Sequence, residues 1–410
     1  MSEIQLIAPT GADRVSAIPP RVSGGCTHRL QEYGRWQWWT ADGGDPAARL
    51  ERFLAGYGLP VADLAAGPGG TGSGRTGPPP CAAGGPACGA VLYLSAAAGA
   101  AMLGAPPGPA SPAPAVPDLV AVVYGPATGT VPAVPRRPAR PWTLGPWRDS
   151  YPPGGHQRAV AEVRAAIARG EVYQTTVVGH ASARYRGDPG PALRRVAALP
   201  GARYGAVLAG PGWALATATP ETLVRVRRGQ VVTSPIKGTR PATAAGRTAL
   251  LRSPKERAEH VMIVDLARND LGRVAATGTV RVDRLYRVRR WCDLWQAESD
   301  VSARLAPGTG LAALLRAVCP GGSVTGAPKW TALDLIAAVE PVGRGPGMGG
   351  YGWLGHDGLD LGLTIRTVAV AGGRVHVWAG GGITWGSDPD AEVAEAAAKA
   401  APLRAALGGC

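Results

Sequence analysis

Lysine is nearly absent from this 410-residue chain. Four occur, Lys237, Lys255, Lys329 and Lys399, all in the second half, and the other 39 of its 43 basic side chains are arginine. Arginine therefore meets every generic need for positive charge, and a retained lysine asks for chemistry specific to an amine. Phenylalanine occurs once and aromatic residues make up 6%, so the core must rest on Ala, Val and Leu, which the 45% hydrophobic content allows. The six cysteines (Cys26, Cys81, Cys88, Cys292, Cys319 and Cys410) show no CxxC pair or other metal-ligand spacing and are too sparse for a disulfide scaffold, which implies a reducing, cytoplasmic setting. No basic segment followed by an apolar core opens the chain. The longest apolar stretch, 90–104, is too short and too rich in Ala and Gly to span a bilayer, so no membrane partner is expected. The formal charge of +14 is carried by arginines scattered singly or in pairs, with no basic run interleaved with aromatics. That pattern argues against nucleic acid and for anionic small molecules or an acidic protein surface.

Stretches rich in Gly and Pro at 68–89 and 104–117 show no hydrophobic period and read as loops. Short strands are expected around Trp36–Trp39, Val91–Leu94 and Leu119–Tyr124, with a helix from Pro46 to Tyr57. Residues 1–145 thus form a strand-rich N-terminal part of the same fold, and residues 150–405 carry the sharper signals. A helix from His156 to Arg169 precedes a strand at Val172–Val178, one hairpin pairs Thr222–Val226 with Gln230–Ile236, and another at 361–379 turns on Gly372-Gly373. Ser253-Pro254-Lys255-Glu256 opens a helix as a capping box, with Glu256 reaching back to the cap. Further helices are expected at Thr331–Val339 and from Asp388-Pro389. Helices mixed with antiparallel hairpins predict an α+β fold.

Lys237 lies in Ser234-Pro235-Ile236-Lys237-Gly238-Thr239-Arg240-Pro241, at the end of an expected strand. Burial there would lower its pKa and free the amine as a nucleophile; a solvated loop lysine is the plainer alternative. Glu256 and Glu259 are spaced i, i+3 on one helix and Glu392 and Glu395 identically on another, so each pair projects from one face. Two such faces could surround a hard divalent cation, Mg2+ by preference, although solvated helix glutamates show the same spacing. The loop Gly321-Gly322-Ser323-Val324-Thr325-Gly326-Ala327-Pro328-Lys329 leads into a helix. It offers N–H groups and an ammonium to a carboxylate or phosphate, or is an ordinary capped turn. Ala379-Gly380-Gly381-Gly382-Ile383, after a strand, allows close backbone approach, and Arg366 on the strand Thr364–Thr367 could clamp a carboxylate with two hydrogen bonds.

In order along the chain, PIKGTRP (235–241), ERAEHVMIVDLARNDLGR (256–273), GGSVTGAPK (321–329), TIRT (364–367), AGGGI (379–383) and AEVAEAAAK (391–399) resemble the chorismate-utilising enzymes. These include anthranilate synthase component I, aminodeoxychorismate synthase component I, and the isochorismate and salicylate synthases. The resemblance implies a large chorismate-binding domain, a two-sheet β-sandwich with flanking helices, and Mg2+-dependent chemistry on chorismate. It implies Glu259 and Glu395 as direct Mg2+ ligands, with Glu256 and Glu392 assisting through water. Around the substrate it implies Gly238, Thr239, Thr325, Gly326, Ala327, Arg366, Gly380, Gly381, Gly382 and Lys399, and it implies Glu221 as the acid that protonates the departing 4-hydroxyl.

Two positions bear on the subfamily. Tyr173-Gln174 stands where isochorismate and salicylate synthases place a water-activating lysine, which disfavours water addition. Lys237 stands where anthranilate synthases usually have alanine and aminodeoxychorismate synthases have lysine. The resemblance is therefore closest to aminodeoxychorismate synthase component I, which converts chorismate and ammonia to 4-amino-4-deoxychorismate through a lysine adduct, toward p-aminobenzoate. Amination at C2, giving 2-amino-2-deoxyisochorismate or anthranilate, is the alternative. Gln296 replaces the family's histidine and Trp353 its tyrosine, two departures that bear on substrate orientation and product. The N-terminal region shows no counterpart of the family's tryptophan-binding segment, so no feedback site is expected there. The chain has no Gly-x-Cys-x-Gly nucleophile elbow, so ammonia is expected from a separate glutamine amidotransferase subunit.

Overall fold

Short apolar runs such as Gly89–Leu94 (GAVLYL) and Leu119–Pro126 (LVAVVYGP) have no polar face to turn to water, the signature of strands covered on both sides, and both are buried throughout. In the computed structural model, which describes residues 30–66, 87–106, 108–127 and 141–408, they lie within the larger of two antiparallel sheets. Its order is Leu30–Trp38, Leu119–Pro126, Gly89–Leu94, Gly350–Gly355, Gly358–Leu363, Thr222–Arg227, Gln230–Ser234, Leu294–Arg304 and Ile236–Pro241, with Arg281–Trp291 also paired to Leu294–Arg304. Strands from the N-terminal part and from the last third of the chain therefore share one sheet. The second sheet runs Gly326–Ala327, Gln174–Arg186, Arg374–Ile383, Thr367–Ala371, Trp213–Thr219 and Tyr204–Gly210. The inner faces meet in one core that joins Leu92, Val122 and Leu361 of the larger sheet to Leu208, Leu215 and Trp378 of the second. Helices flank this pair: Pro389–Gly408 packs on Arg374–Ile383, and Pro254–Gly272 packs on Ile236–Pro241 and Leu294–Arg304. The fold is α+β with two antiparallel sheets, as the mixture of helices and hairpins implied. Among the described residues no helix is long and apolar enough to cross a membrane.

Several local expectations change. The apolar stretch 90–104 divides into a strand and a helix, Ala96–Leu103, whose Ser95 cap accepts the Ala98 N–H at 3.0 Å and which ends at Gly104 in the left-handed region. The expected hairpin at 361–379 is two hairpins in different sheets: Gly358–Leu363 pairs with Gly350–Gly355, and Thr367–Ala371 pairs with Arg374–Ile383. Residues 364–366 cross between them, and Arg366, at φ 53°, lies in that crossing and not in a strand. Pro235 separates the strand Gln230–Ser234 from Ile236–Pro241, so Lys237 sits near the start of a new strand instead of the end of the previous one. Gly380–Gly382 fall inside Arg374–Ile383, where they pair with Val178, Val177 and Thr176. Most of the 68–89 loop lies outside the described residues, while 104–117 contains no helix or strand among those described.

Candidate active site

Strand pairing places the amine. Lys237 faces Ala297 and Thr239 faces Gln296, with Gly238 bulged between them at φ 75°. A side chain at 238 would press on Leu250 and Glu256, so the bulge needs glycine for space as well as for conformation. The Lys237 ammonium lies over Gly382, where even a methyl group would overlap it. Lys237 is buried, and among the described residues its Nζ has no hydrogen-bond or ion-pair partner. Burial lowers its pKa and Lys399 adds to that effect, against the opposing charges of Glu259, Glu392 and Glu395.

Glu221 lines the same cavity, as do Arg366 and Gln296. Glu221 is 3% exposed, and its carboxyl accepts the Ser323 hydroxyl at 2.5 Å. Burial pushes its pKa up to about 7, against the Ser323 and Ile236 hydrogen bonds and the charges of Lys237 and Arg366. A carboxyl that keeps its proton near neutrality can act as a general acid. Arg366 is buried with its guanidinium 4.6 Å from the centre of the Trp291 ring, and its Nε has no hydrogen-bond partner among the described residues. Burial lowers its pKa to about 10, with Glu395 and Glu221 opposing, and it remains a cation. Gln174 is 1% exposed and neither amide atom has a hydrogen-bond partner among the described residues; its nitrogen also lies over Gly382, beside the lysine. Arg366 lines the cavity directly, whereas Gln174 does not line it and lies next to Gly382, which does; orphaned buried polar atoms at or beside a cavity are what a polar ligand would satisfy.

Two helices bring Glu256 and Glu259, and Glu392 and Glu395, to this cavity from positions more than a hundred residues apart. Each is engaged by a neighbour. Arg240 pairs with Glu256 at 2.8 Å, Thr384 donates to Glu259 at 2.7 Å, and Lys399 pairs with Glu395 at 2.6 Å while also donating to the Gly380 carbonyl. Ser387 donates to Glu392. Glu256 does not close the expected capping box: its N–H donates to Ser253, but its carboxylate turns to Arg240. Burial raises the pKa of Glu256 and of Glu392, and nearby carboxylates raise both further. Burial acts upward on Glu395 too, but Lys399, Lys237 and Arg366 outweigh it and hold that group low. Four carboxylates lining one cavity, crowding one another's charge, fit a divalent cation such as Mg2+ in donor chemistry. Among the described residues no three of them converge as a ready-made ligating cluster, so the fit is one of chemistry and not of preset geometry.

Other expected site residues divide. Gly238, Thr239, Gly380, Gly381, Gly382 and Lys399 line the cavity. Thr325, Gly326 and Ala327 do not: Thr325 bonds to the Gly321 carbonyl, and Gly326 and Ala327 pair with Thr175 and Gln174, backing the wall instead of facing the cavity. Lys329 is withdrawn from the expected anion site because both oxygens of buried Asp270 hold its ammonium, at 3.0 and 2.9 Å. Trp353 is not brought to the cavity; it lies beneath Gly89 with its ring 6.3 Å from Tyr124, in the core. Ser323, Met348, Ile365 and Trp378 line the cavity without having been singled out. Ser323 lay in a motif already noted, but apolar wall residues carry no chemical signature in a sequence.

Residues 118–405 match the family model for chorismate binding enzyme, about 70% of the chain. The chain belongs to the chorismate-binding enzyme family. It is 42% identical over 256 residues to anthranilate synthase component 1 of Streptomyces coelicolor, covering 60% of this chain and 50% of that protein. It is 38% identical over 256 residues to aminodeoxychorismate synthase component 1 of Klebsiella aerogenes, covering 61% and 57%. The chain thus spans little more than half the length of the relatives it matches. The crystal structure of anthranilate synthase component I from Streptococcus pneumoniae superposes with a TM-score of 0.71 at 22% identity, covering 97% of this chain and 95% of that one, which places the chain in the same fold.

Proposed function

We propose that this chorismate-binding family member aminates chorismate at C4, as an aminodeoxychorismate synthase component I, using ammonia made by a separate glutamine amidotransferase subunit. One observation supports this reading above the others: a buried lysine without a partner among the described residues shares a cavity with a carboxyl that keeps its proton near neutrality. Arg366 offers charge and an open Nε to a substrate carboxylate. Lys237, as the neutral amine, bonds to C2 while the ring double bond shifts and the C4–O bond breaks; Glu221 protonates the departing hydroxyl, which leaves as water. Ammonia then bonds to C4, the double bond returns, and Lys237 leaves C2 as a neutral amine. The new C4 ammonium returns one proton to Glu221, which closes the cycle. Glu259 and Glu395 would hold Mg2+, with Glu256 and Glu392 acting through water, and the cation would neutralise substrate carboxylate charge. Gln174 is an amide and cannot activate water as a base, and Gln296 likewise supplies no base for loss of pyruvate, so the product keeps its enolpyruvyl group.

Amination at C2 is the second reading, favoured by the 42% identity to an anthranilate synthase component 1. Mass spectrometry and NMR of the product formed from chorismate, Mg2+ and ammonium separate the two. A non-aromatic product aminated at C4 supports the proposal, and anthranilate fluorescence or a 2-amino product overturns it.

A further inference from the structure

We propose that Ser323 is a positioning residue for the acid: its hydroxyl holds one oxygen of Glu221, so that the transferable proton resides on the other. This rests on the assignment of Glu221 as proton donor in the amination of chorismate. The Ser323 Oγ donates to Glu221 Oε1 at 2.5 Å, and both residues line the substrate cavity. An oxygen that accepts a short hydrogen bond is a poor place for the acid's own proton, which is left on Oε2.

The turn that carries Ser323 is fixed from several sides, which makes the hydroxyl a fixed donor and not a passing contact. The Ser323 carbonyl accepts the Thr176 hydroxyl at 3.2 Å, Thr325 closes back onto the Gly321 carbonyl at 2.8 Å, and Arg344 donates to the carbonyl of Val324. Arg344 is itself held by Glu340 at 2.6 and 2.8 Å. The Lys329–Asp270 pair ties the far end of the same loop to the helix Pro254–Gly272. The lysine that resembled an anion ligand in sequence thus serves to hold this turn still.

The charged and hydrogen-bonding groups acting on Glu221 are Ser323 from the turn, the Ile236 N–H and Lys237 from one strand, and Arg366 from the crossing between the sheets. Ser323 is the one neutral side chain among them. Its removal should therefore alter proton affinity without changing the charge of the cavity. A hydroxyl that donates to a carboxylate favours the ionised form, so its loss raises the pH at which Glu221 gives up its proton.

The experiment uses the full chain as wild type, Ser323→Ala, Ser323→Thr and Glu221→Gln. The Glu221 carboxyl band is taken from infrared spectra as the signal missing in Glu221→Gln and is titrated in each protein. Turnover of chorismate with ammonium is measured over the same pH range. In Ser323→Ala the band's midpoint should rise by about one pH unit, the alkaline limb of turnover should rise with it, and Ser323→Thr should restore both. A midpoint in Ser323→Ala equal to wild type overturns the role given to Ser323. A midpoint that rises while the alkaline limb stays put supports the serine's hold on Glu221 and instead overturns Glu221 as the proton donor.

Discussion

Gly382→Ala is a steric probe of the site that leaves its charges untouched. Gly382 is not among the glycines with positive φ, so alanine suits its backbone. The added methyl would overlap the Lys237 ammonium and come within 2.9 Å of the Gln174 amide nitrogen. Both obstacles are ends of side chains, so the fold can yield cheaply, but the amine must retreat by more than about 1 Å to reach ordinary van der Waals separation. A displacement of that size at a reacting atom costs on the order of 100-fold in rate, or ~2.7 kcal/mol in the barrier. Gly381→Ala is the matched control, because its methyl would meet Glu392 Oε2 at 3.1 Å and Lys399 at 3.6 Å instead of Lys237. Steady-state kinetics with ammonium as nitrogen donor, beside thermal melting, give the comparison. Gly382→Ala is expected to lose kcat at nearly unchanged stability, whereas Gly381→Ala should mainly raise the Mg2+ requirement. Equal kcat for Gly382→Ala and wild type would refute the placement of the reacting amine over Gly382.

Glu221→Gln should reduce turnover by about 100-fold or more. It should also alter stability in a pH-dependent way. The folded-state pKa of Glu221 is raised from 4.5 to about 7, so wild-type stability is undiminished below pH 4.5 and falls as pH rises through 7, by roughly 3 kcal/mol. The glutamine variant should therefore gain in melting temperature relative to wild type between pH 4.5 and 7, and a difference independent of pH would count against a protonated Glu221. Glu395→Gln should raise the Mg2+ concentration for half-activity at least about tenfold, as read from metal titration of turnover; unchanged Mg2+ dependence would return these glutamates to a scaffolding role. Arg366→Lys keeps the charge but loses the planar fork, so KM for chorismate should rise about tenfold or more, and an unchanged KM would remove Arg366 from substrate binding.

Polar motifs carried most of the site. The i, i+3 glutamate pairs on separate helices do reach one cavity, because helical spacing fixes the face and the family's motif order indicates that the faces meet. What sequence spacing could not supply was the partner of each charge. Lys329 beside a glycine loop looks like an anion ligand, yet Asp270, 59 residues earlier, occupies it. Glu256 satisfies the local pattern of a capping box, but Arg240 offers its carboxylate a stronger contact than the cap N–H. Arg366 sits in a run that reads as a strand, and only the change of sheet at 364–366 puts it in the left-handed region over Trp291. The helix Ala96–Leu103 was invisible because a segment of Ala, Gly, Met and Leu is apolar all round and has no period. Trp353 follows a glycine that resembles the family's pattern, but its strand directs it into the core against Tyr124.

In the proposed mechanism Lys237 bonds covalently to the substrate, an adduct that intact-protein and peptide mass spectrometry would detect. Wild-type protein incubated with chorismate and Mg2+ without ammonia, then quenched, should carry added mass of chorismate less one water on the peptide containing Lys237, and ammonium added before the quench should remove it. Lys237→Ala should show no adduct and no C4 amination, and Lys237→Arg should behave alike because a guanidinium stays protonated and does not attack. If Lys237→Ala still forms 4-amino-4-deoxychorismate at a rate comparable to wild type, the covalent account is wrong.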